Sequence, residues 1–451
     1  MTRRGSIVLK REINVKKNNH KRTAAFLLAA IMVIAAIAGC SGKASSEASD
    51  DNKGSVYWLN YKPELDGFIR NLASKYRVSK GVEVKVVTAS EGTYSEALKA
   101  EMNLPNPPTL FVLNNQQGVK EWGSYALDLK DTAIAEELTT DEYNLITSDG
   151  KLAAIAYCYE CFGIAVNPAN VTAAGHTMDE INNFEGLKNV AEDIHKRASE
   201  LGFDAFSAAD LDKENSWRIT AHLANIEYYY EEKAAGKMWT ECPPSITGEF
   251  LPNYKNIFDL AINNSATDPK ELSEGGHDPS MSFISGKSTF FLTGSWDYAE
   301  ISKEIPSAVL IPCYCGMKGE EKAGLSCGTE NYWAVNSKVS KESQKATIDF
   351  MLWLVSDAEA SKVMVEQLGI MPYKKAAAST NGFIKNAADY DADGYYRMNW
   401  AFAFQPNVDA YRPDLISDLN VYTKEQTDAN WAEVKKSFVD NWAVQYKLIN
   451  K

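Results

Sequence analysis

Between Ser55 and Leu113 the hydrophobic period switches repeatedly between two and 3.6 residues, and that alternation limits the folds open to the chain. Ser55–Leu59 is a short β-type run. Behind Pro63, a favourable first-turn residue, Leu65, Phe68, Ile69, Leu72 and Tyr76 recur at helical spacing. Val82, Val84 and Val86 then alternate as a strand, Tyr94, Leu98 and Met102 lie one turn apart, and Thr109–Leu113 reads as a strand bounded by Pro107 and Pro108. A β-α-β-α-β order predicts an α/β fold with a mainly parallel sheet covered on both faces by helices. In such sheets ligands sit beyond the carboxyl ends of the strands. Here those ends are the polar loops Asn60-Tyr61-Lys62, Ser90-Glu91-Gly92-Thr93 and Asn114-Asn115. Further on, Thr347–Val355 is an apolar helical stripe, Asp357–Leu368 a second helix stopped by Gly369, and helices dominate from there to the end. No repeat of 20–50 residues is visible, which excludes solenoids and propellers.

The charge is unevenly spread. Residues 1–39 hold eight Lys/Arg against one acid, Glu12, so the chain's net −13 leaves −20 on the other 412 residues. A body that acidic repels phosphates, and nucleic-acid binding is excluded as a function. The basic stretch precedes an apolar run, Thr23–Ala38, of 16 residues, shorter than the roughly 20 needed to span a bilayer. It reads as a secretory signal. Ile37-Ala38-Gly39-Cys40 resembles the bacterial lipobox, which implies removal of residues 1–39 and diacylation of Cys40, so that the mature protein carries palmitate-type chains. Residues 40–54, rich in Ser, Ala and acids, form a lipidated flexible tether. An acidic body on such a leash faces the outside of a membrane, which argues against cytosolic chemistry driven by ATP or nicotinamide.

Catalytic motifs fail one after another. Ser285-Gly286-Lys287-Ser288-Thr289 ends like a phosphate loop, but Met281 stands where its first glycine belongs. No His-Glu-x-x-His occurs, and His176, His195, His222 and His277 lack ligand spacing. Counting acids does not test for a pair of facing carboxylates, and nothing positive marks an enzyme. Asp389-Tyr390-Asp391-Ala392-Asp393-Gly394 repeats the opening of a calcium loop, with Asp389, Asp391 and Asp393 as its oxygen donors. Trp400 replaces the bidentate Glu at position 12, so an acidic turn is the favoured reading and calcium the only cofactor suggested. Of seven cysteines, six follow Cys40: Cys158, Cys161, Cys242, Cys313, Cys315 and Cys327. Cys313 and Cys315 in one strand would lie about 6.5–7 Å apart, awkward for bridging each other. Buried free thiols are the favoured reading; a bridge from either to Cys158 or Cys161, and a metal site, are the alternatives.

Aromatic residues are abundant (10 Trp, 22 Tyr, 17 Phe), and several sit beside polar groups rather than on apolar stripes. Trp58 precedes Asn60, Tyr157 and Tyr159 flank Cys158, Trp217 adjoins Arg218, and Trp296 lies in Gly294-Ser295-Trp296-Asp297. Aromatic faces ringed by carboxylates and amides suit a sugar, whose C–H face stacks while its hydroxyls are hydrogen-bonded. Each stack, burying about 60 Å² of apolar surface, contributes roughly 1.5 kcal/mol. Two or three supply only part of the ~8 kcal/mol of a micromolar complex.

With these residues in view, the chain resembles the carbohydrate-type (family 1) extracellular solute-binding proteins of ABC importers, the family of maltose-binding protein, over nearly all of Ser55–Lys451. The strongest motif is Phe283–Trp296, with a Gly-Lys pair, a short apolar strand and Gly-x-Trp. Ala153–Asn167, Gly328-Thr329-Glu330-Asn331-Tyr332-Trp333 and Gly369-Ile370-Met371-Pro372 also fit. The resemblance implies a two-lobed periplasmic-binding-protein-like fold with the ligand cleft between the lobes. Three crossovers are implied near Tyr157–Gly163, Val309–Cys313 and Gly369–Tyr373, with lobe one at 55–158 plus 313–369 and lobe two at 163–308 plus 373–451. It implies ligand contacts from Trp58, Asn60, Glu91, Tyr94, Asn114, Asn115, Tyr157 and Glu160 on the lobe-one or hinge side. Trp217, Trp296 and Asp297 would face them from lobe two, with Trp400 a weaker candidate. Thr109 and the run Asn114-Asn115-Gln116 depart from the residues many relatives carry there. On this map Cys158/Cys161 and Cys313/Cys315 fall at the hinge, which strengthens the alternative of a disulfide among them. The implied function is capture of a sugar, chiefly an oligosaccharide, by cleft closure and delivery to an ABC importer permease. The protein would act as a monomer anchored on the outer face of the cytoplasmic membrane of a Gram-positive type cell. A peptide- or polyamine-binding protein, a secreted glycosidase and an adhesive lipoprotein are the competing classes.

Overall fold

A computed structural model describes residues 53–450, apart from 91, 92, 213, 214 and 370. The signal segment 1–39, Cys40, the tether up to residue 52 and Glu91 lie outside the described residues. No helix among the described residues is long and apolar enough to cross a membrane.

Among the described residues twelve strands form two sheets: β1 (Ser55–Asn60), β2 (Glu83–Thr88), β3 (Leu110–Leu113), β4 (Asn144–Ile146), β5 (Leu152–Ala156), β6 (Glu160–Val166), β7 (Asp204–Ser207), β8 (Ser288–Gly294), β9 (Val309–Ile311), β10 (Ala323–Gly328), β11 (Tyr332–Val335) and β12 (Tyr396–Asn399). The first sheet has the order β2-β1-β3-β11-β5-β4, and the second β12-β10-β6-β8-β7 with β9 also paired to β6. Parallel pairing is confined in the first sheet to β1, β2 and β3, the region of the β-α-β-α-β pattern. Strand β11 runs antiparallel to both its neighbours, because it enters the sheet from the other lobe.

The elements form for local reasons. Pro63 opens the first helical turn, the helix Asp66–Lys80 buries Ile69, Leu72 and Tyr76, and Gly81 ends it with φ 68°, a left-handed value that glycine adopts without strain. Phe68, expected on that buried face, is instead 44% exposed. Helix Ala358–Leu368 ends at Gly369, as its sequence predicts. The calcium loop does not form. Phe383, Ile384 and Ala387 make an apolar helical stripe that carries the chain through to Ala392, so Asp389 and Asp391 sit on a helix and Asp393 caps it. Residues two apart on a helix point to opposite sides, and Asp389 is engaged by Lys385 and Asp391 by Arg397. Among the described residues no group of three or more acids, His or Cys could hold a metal ion.

The chain passes from the first sheet to the second between Ala156 and Glu160. It returns at Thr329-Glu330-Asn331, not at Val309–Cys313 as expected, because β9 and β10 both pair with β6 inside the second sheet. The third passage lies between Ala377, whose N–H donates to Ser361 Oγ, and Asn381, whose Nδ2 donates to Ser295 O. It therefore falls later than Gly369–Tyr373, since Met371 and Tyr373 belong to the first lobe's core. The observed lobes are thus residues 53–156 with 332–377, and 160–328 with 381–450, in place of boundaries at 158, 163, 308, 313, 369 and 373.

Alternation along β6 divides the second lobe. Phe162, Ile164 and Val166 face one core, while Cys161 and Ala165 face a smaller one on the opposite side of the sheet. None of the six cysteines after residue 52 is bridged to another in this structure. Cys158 packs in the first lobe's core, Cys161 in the smaller core of the second, and Cys315 in the larger. Separate cores rule out the alternative of a bridge between Cys313 or Cys315 and Cys158 or Cys161.

Trp58 is 1% exposed and packs edge-on against Trp333 at 5.9 Å and Phe350 at 6.1 Å. Truncating a large buried aromatic costs about 3–5 kcal/mol. Trp58→Ala is expected to lose that much unfolding free energy in urea titrations; a loss under about 1 kcal/mol would contradict its core placement.

Candidate functional site

Five aromatic side chains from four parts of the second lobe meet around His222. Its ring centroid lies 5.0 Å from Phe162, 5.4 Å from Trp217, 5.0 Å from Trp296 and 4.7 Å from both Trp400 and Phe402. The backbone explains how they converge. Arg218–Leu223 is a π-helical segment, whose wider turn places Trp217, Arg218 and His222 differently from an α-helix. Phe162 projects from β6. Trp296 folds back over the end of β8, and only a glycine permits it: a Cβ on Gly294 would lie 2.3 Å from the Trp296 ring and 2.4 Å from the Cys161 carbonyl oxygen. Gly328 does the same for Trp400, whose ring would lie 2.6 Å from a Cβ there. The Gly-x-Trp spacing is therefore a packing requirement. Next to the rings, the Arg218 guanidinium stacks on Trp217 at 4.2 Å and pairs with Asp297 at 3.4 Å, while Thr293 Oγ1 donates to the same carboxylate.

The first lobe and the crossings supply the polar side. Asn60 Oδ1 accepts from the Lys62 N–H and its Nδ2 donates to the Lys62 carbonyl and to Thr88 Oγ1, so it shapes the loop after β1. Lys62 Nζ then reaches Glu160 Oε1 at 3.0 Å, and Glu160 Oε2 accepts from Asn331 Nδ2 at 3.0 Å. Burial opposes the Lys62 charge, but Glu160 and Glu64 outweigh it and hold the ammonium above its ordinary range. Glu330 pairs with Arg412 across the lobes at 3.5 Å, and Arg412 Nε donates to Gln405 Oε1. Burial raises the Glu330 carboxyl, with Arg412 opposing. Every acid of the site is thus matched to a cation: Glu160 to Lys62, Glu330 to Arg412, Asp297 to Arg218.

The residues singled out from sequence divide accordingly. Trp217, Trp296 and Asp297 come together, with Trp400 beside them, and Asn60 and Glu160 meet at the first crossing. Trp58 does not reach the site, because β1 is covered on both faces and this side chain turns toward helix Lys341–Ser356. The Tyr94 hydroxyl accepts from the Val112 N–H and donates to the Leu59 carbonyl, holding its helix to the sheet. Tyr157 stacks on Trp333 at 4.8 Å and its hydroxyl donates to Asn331 Oδ1. Asn115 caps helix Gln116–Trp122, and Asn114 Nδ2 donates to the Glu330 carbonyl. Sequence reasoning missed Lys62, Phe162, Arg218, His222, Glu330, Asn331, Phe402 and Arg412. Their neighbourhood to the Trp-bearing motifs in sequence was a usable signal for Arg218, Phe402 and Lys62; the others converge only through the fold.

His222 is 6% exposed, and its Nδ1 is buried without a partner. Burial, then Arg412, Arg218 and Lys62, hold the ring well below its ordinary range, so it is neutral in the native state. The unfolded chain takes up a proton near pH 6.5 while the native ring does not, so this group destabilises the fold as pH drops below about 6.5. Wild type should lose about 1.4 kcal/mol more than His222→Gln between pH 7.5 and pH 5.5, measured by urea denaturation at both values. Equal losses in the two proteins would show that His222 is protonated in the native site.

Comparisons with known proteins now bear on this arrangement. The fold is similar to that of RafE in complex with raffinose, at 15% identity and a TM-score of 0.67, covering 88% of this chain and 100% of that one. It is similar to a chitin oligosaccharide binding protein, at 16% identity and a TM-score of 0.64, covering 87% and 98%. A Streptococcus pneumoniae solute-binding protein in complex with the blood group A-trisaccharide shares 20% identity and a TM-score of 0.59, covering 86% and 99%. At such identities the likeness is one of fold. No curated protein sequence matches the chain. Residues 71–392 match the profile of a family described as bacterial extracellular solute-binding protein. With most of its length inside that match, the chain belongs to the bacterial extracellular solute-binding proteins.

Proposed function

We propose that the protein captures a neutral oligosaccharide between its lobes and hands it to the permease of an ABC importer. One observation carries this reading: buried N–H and ring nitrogen groups without partners gather among the aromatic rings. They are Trp296 Nε1, Trp400 Nε1, Arg218 Nε and His222 Nδ1. An unmatched buried polar group costs about 1–3 kcal/mol, and sugar hydroxyls, which both donate and accept, can satisfy several at once. The rings of Trp217 and Trp296, with centroids 5.4 Å apart and planes tilted by 59°, form an aromatic surface that suits the C–H face of a pyranose. RafE, the chitin oligosaccharide binding protein and the pneumococcal relative support the same class through the saccharides in their names.

The competing classes fit less well. A polyamine or peptide terminus needs a carboxylate free to pair with it, and Glu160, Glu330 and Asp297 are each held by a cation. A glycosidase needs one acid and one base facing each other, and the same pairing leaves no such couple in the site. The protein therefore binds without catalysis and needs no cofactor. It works as a monomer on the outer face of the cytoplasmic membrane, held by lipid on Cys40, and exposes its closed form to the permease. Asp297 fixes Arg218, and Glu160 with Asn60 fixes Lys62.

A thermal-shift screen against mono- and oligosaccharides, with the sugar recovered for mass spectrometry, tests this. An oligosaccharide should raise the melting temperature saturably and be recovered intact. Trp296→Ala, which removes a stack and a donor, should weaken that ligand at least about tenfold. No response to any saccharide would overturn the reading, and a shortened product would make the protein an enzyme.

A further inference from the structure

The smaller core of the second lobe holds a pair of thiols with no part in the site described above. Cys161 on β6 and Cys327 on β10 stand directly opposite each other in antiparallel register, with Ser326 opposite Phe162 and Gly328 opposite Glu160. Their sulfurs are 2.9 Å apart and both side chains are buried. Directly opposed residues on antiparallel strands have Cα atoms about 4.5–5.5 Å apart, inside the range that a disulfide spans. The other thiols lack this arrangement: Cys158, Cys242 and Cys315 lie in the other cores. Phe283, Leu310, Leu325 and Ile384 share the cluster with the pair, and the Arg397–Asp391 ion pair acts on it electrostatically. The position matters as well. Cys161 is the second residue of β6, which receives the first crossing, and Cys327 is the last but one of β10, which feeds the second.

We propose that Cys161 and Cys327 form a disulfide in the exported protein, a covalent clamp at the base of two of its three interlobe crossings. The oxidant is a disulfide-bearing partner outside the cytoplasm, protein or small molecule. One thiolate attacks the partner's disulfide, releasing one thiol and forming a mixed disulfide. The second cysteine then displaces the partner's remaining sulfur, so the two cysteines lose two electrons and two protons and the partner leaves as two thiols. Burial first, then the neighbouring Cys327, holds the Cys161 thiol far above its ordinary range. Exchange therefore belongs to the folding chain, before β6 and β10 pack, and the finished bond is shielded from reductants. It joins positions 166 residues apart and so restricts the unfolded chain strongly. It lies on the face of the sheet opposite Phe162 and the aromatic cluster, so it fixes the hinge without touching the ligand.

The test uses full-length protein exported by a bacterial host and purified without thiol reductant, then alkylated in denaturant and mapped by mass spectrometry. A second sample is reduced, unfolded and refolded with a mixture of reduced and oxidised glutathione. The expected result in both is a peptide pair joined through Cys161 and Cys327, with Cys158, Cys242, Cys313 and Cys315 alkylated. Reductant should open the bond only once denaturant is added. Cys161→Ser and Cys327→Ser should each lower the melting temperature, and the double variant should melt no lower than the worse single one. Alkylation of both Cys161 and Cys327 in both samples, or linkage of either to another cysteine, overturns the proposal.

Discussion

The interlobe turn Thr329-Glu330-Asn331 is the constraint on which the rest of the structure depends. Three residues separate the end of β10 in one sheet from the start of β11 in the other, so the lobes cannot drift apart at this point. Two of those three residues also carry the polar side of the site. Glu330 pairs with Arg412 from the far lobe, and Asn331 bonds both Glu160 and the Tyr157 hydroxyl. A change in the angle between lobes therefore changes the hydrogen bonds of the cleft, and a ligand that prefers one set of bonds shifts the angle. The buried cation–carboxylate pairs do not have to stabilise the fold to serve this purpose. Desolvation offsets much of their attraction, and what they specify is the geometry in which opposing lobes fit.

The aromatic cluster complements that hinge. His222 stays neutral in the midst of Lys62, Arg218 and Arg412 because burial and these cations all disfavour its protonated form. A neutral imidazole surrounded by indoles is a polar group in an apolar frame, the character shared by a sugar's two kinds of surface. The glycines at 294 and 328 make that frame possible by letting two tryptophans lie against strands.

How much of this was legible follows from how local each signal is. The periods between Ser55 and Leu113 are local, and the parallel β1–β2–β3 unit with its helices follows from them. Pairing of Val309–Ile311 and Ala323–Gly328 with β6 is decided more than a hundred residues away, which is why the second crossing was placed too early. Trp58 and Phe68 misled for the same reason: a strand covered on both faces has no polar side to mark inside from outside, and a helix's buried arc depends on what packs against it. At the site, Gly294 and Trp296 are three-residue neighbours and could be read. His222, Phe162, Trp400 and Arg412 are brought together only by the fold, through a π-helical segment that no apolar period announces. At Asp389 the acidic spacing suggested a loop, while the interleaved Phe383, Ile384 and Ala387 made a helix, and the apolar stripe won.

Hydrogen–deuterium exchange of the protein with and without a saturating oligosaccharide tests the central claim most directly. The account predicts slowed exchange in two places at once, the segments around 217–223, 293–297 and 400–405 in the second lobe, and the loops at 60–62 and 329–331 at the hinge. Slowed exchange confined to one lobe, or lying outside these segments, would contradict a ligand held between the lobes by this cluster.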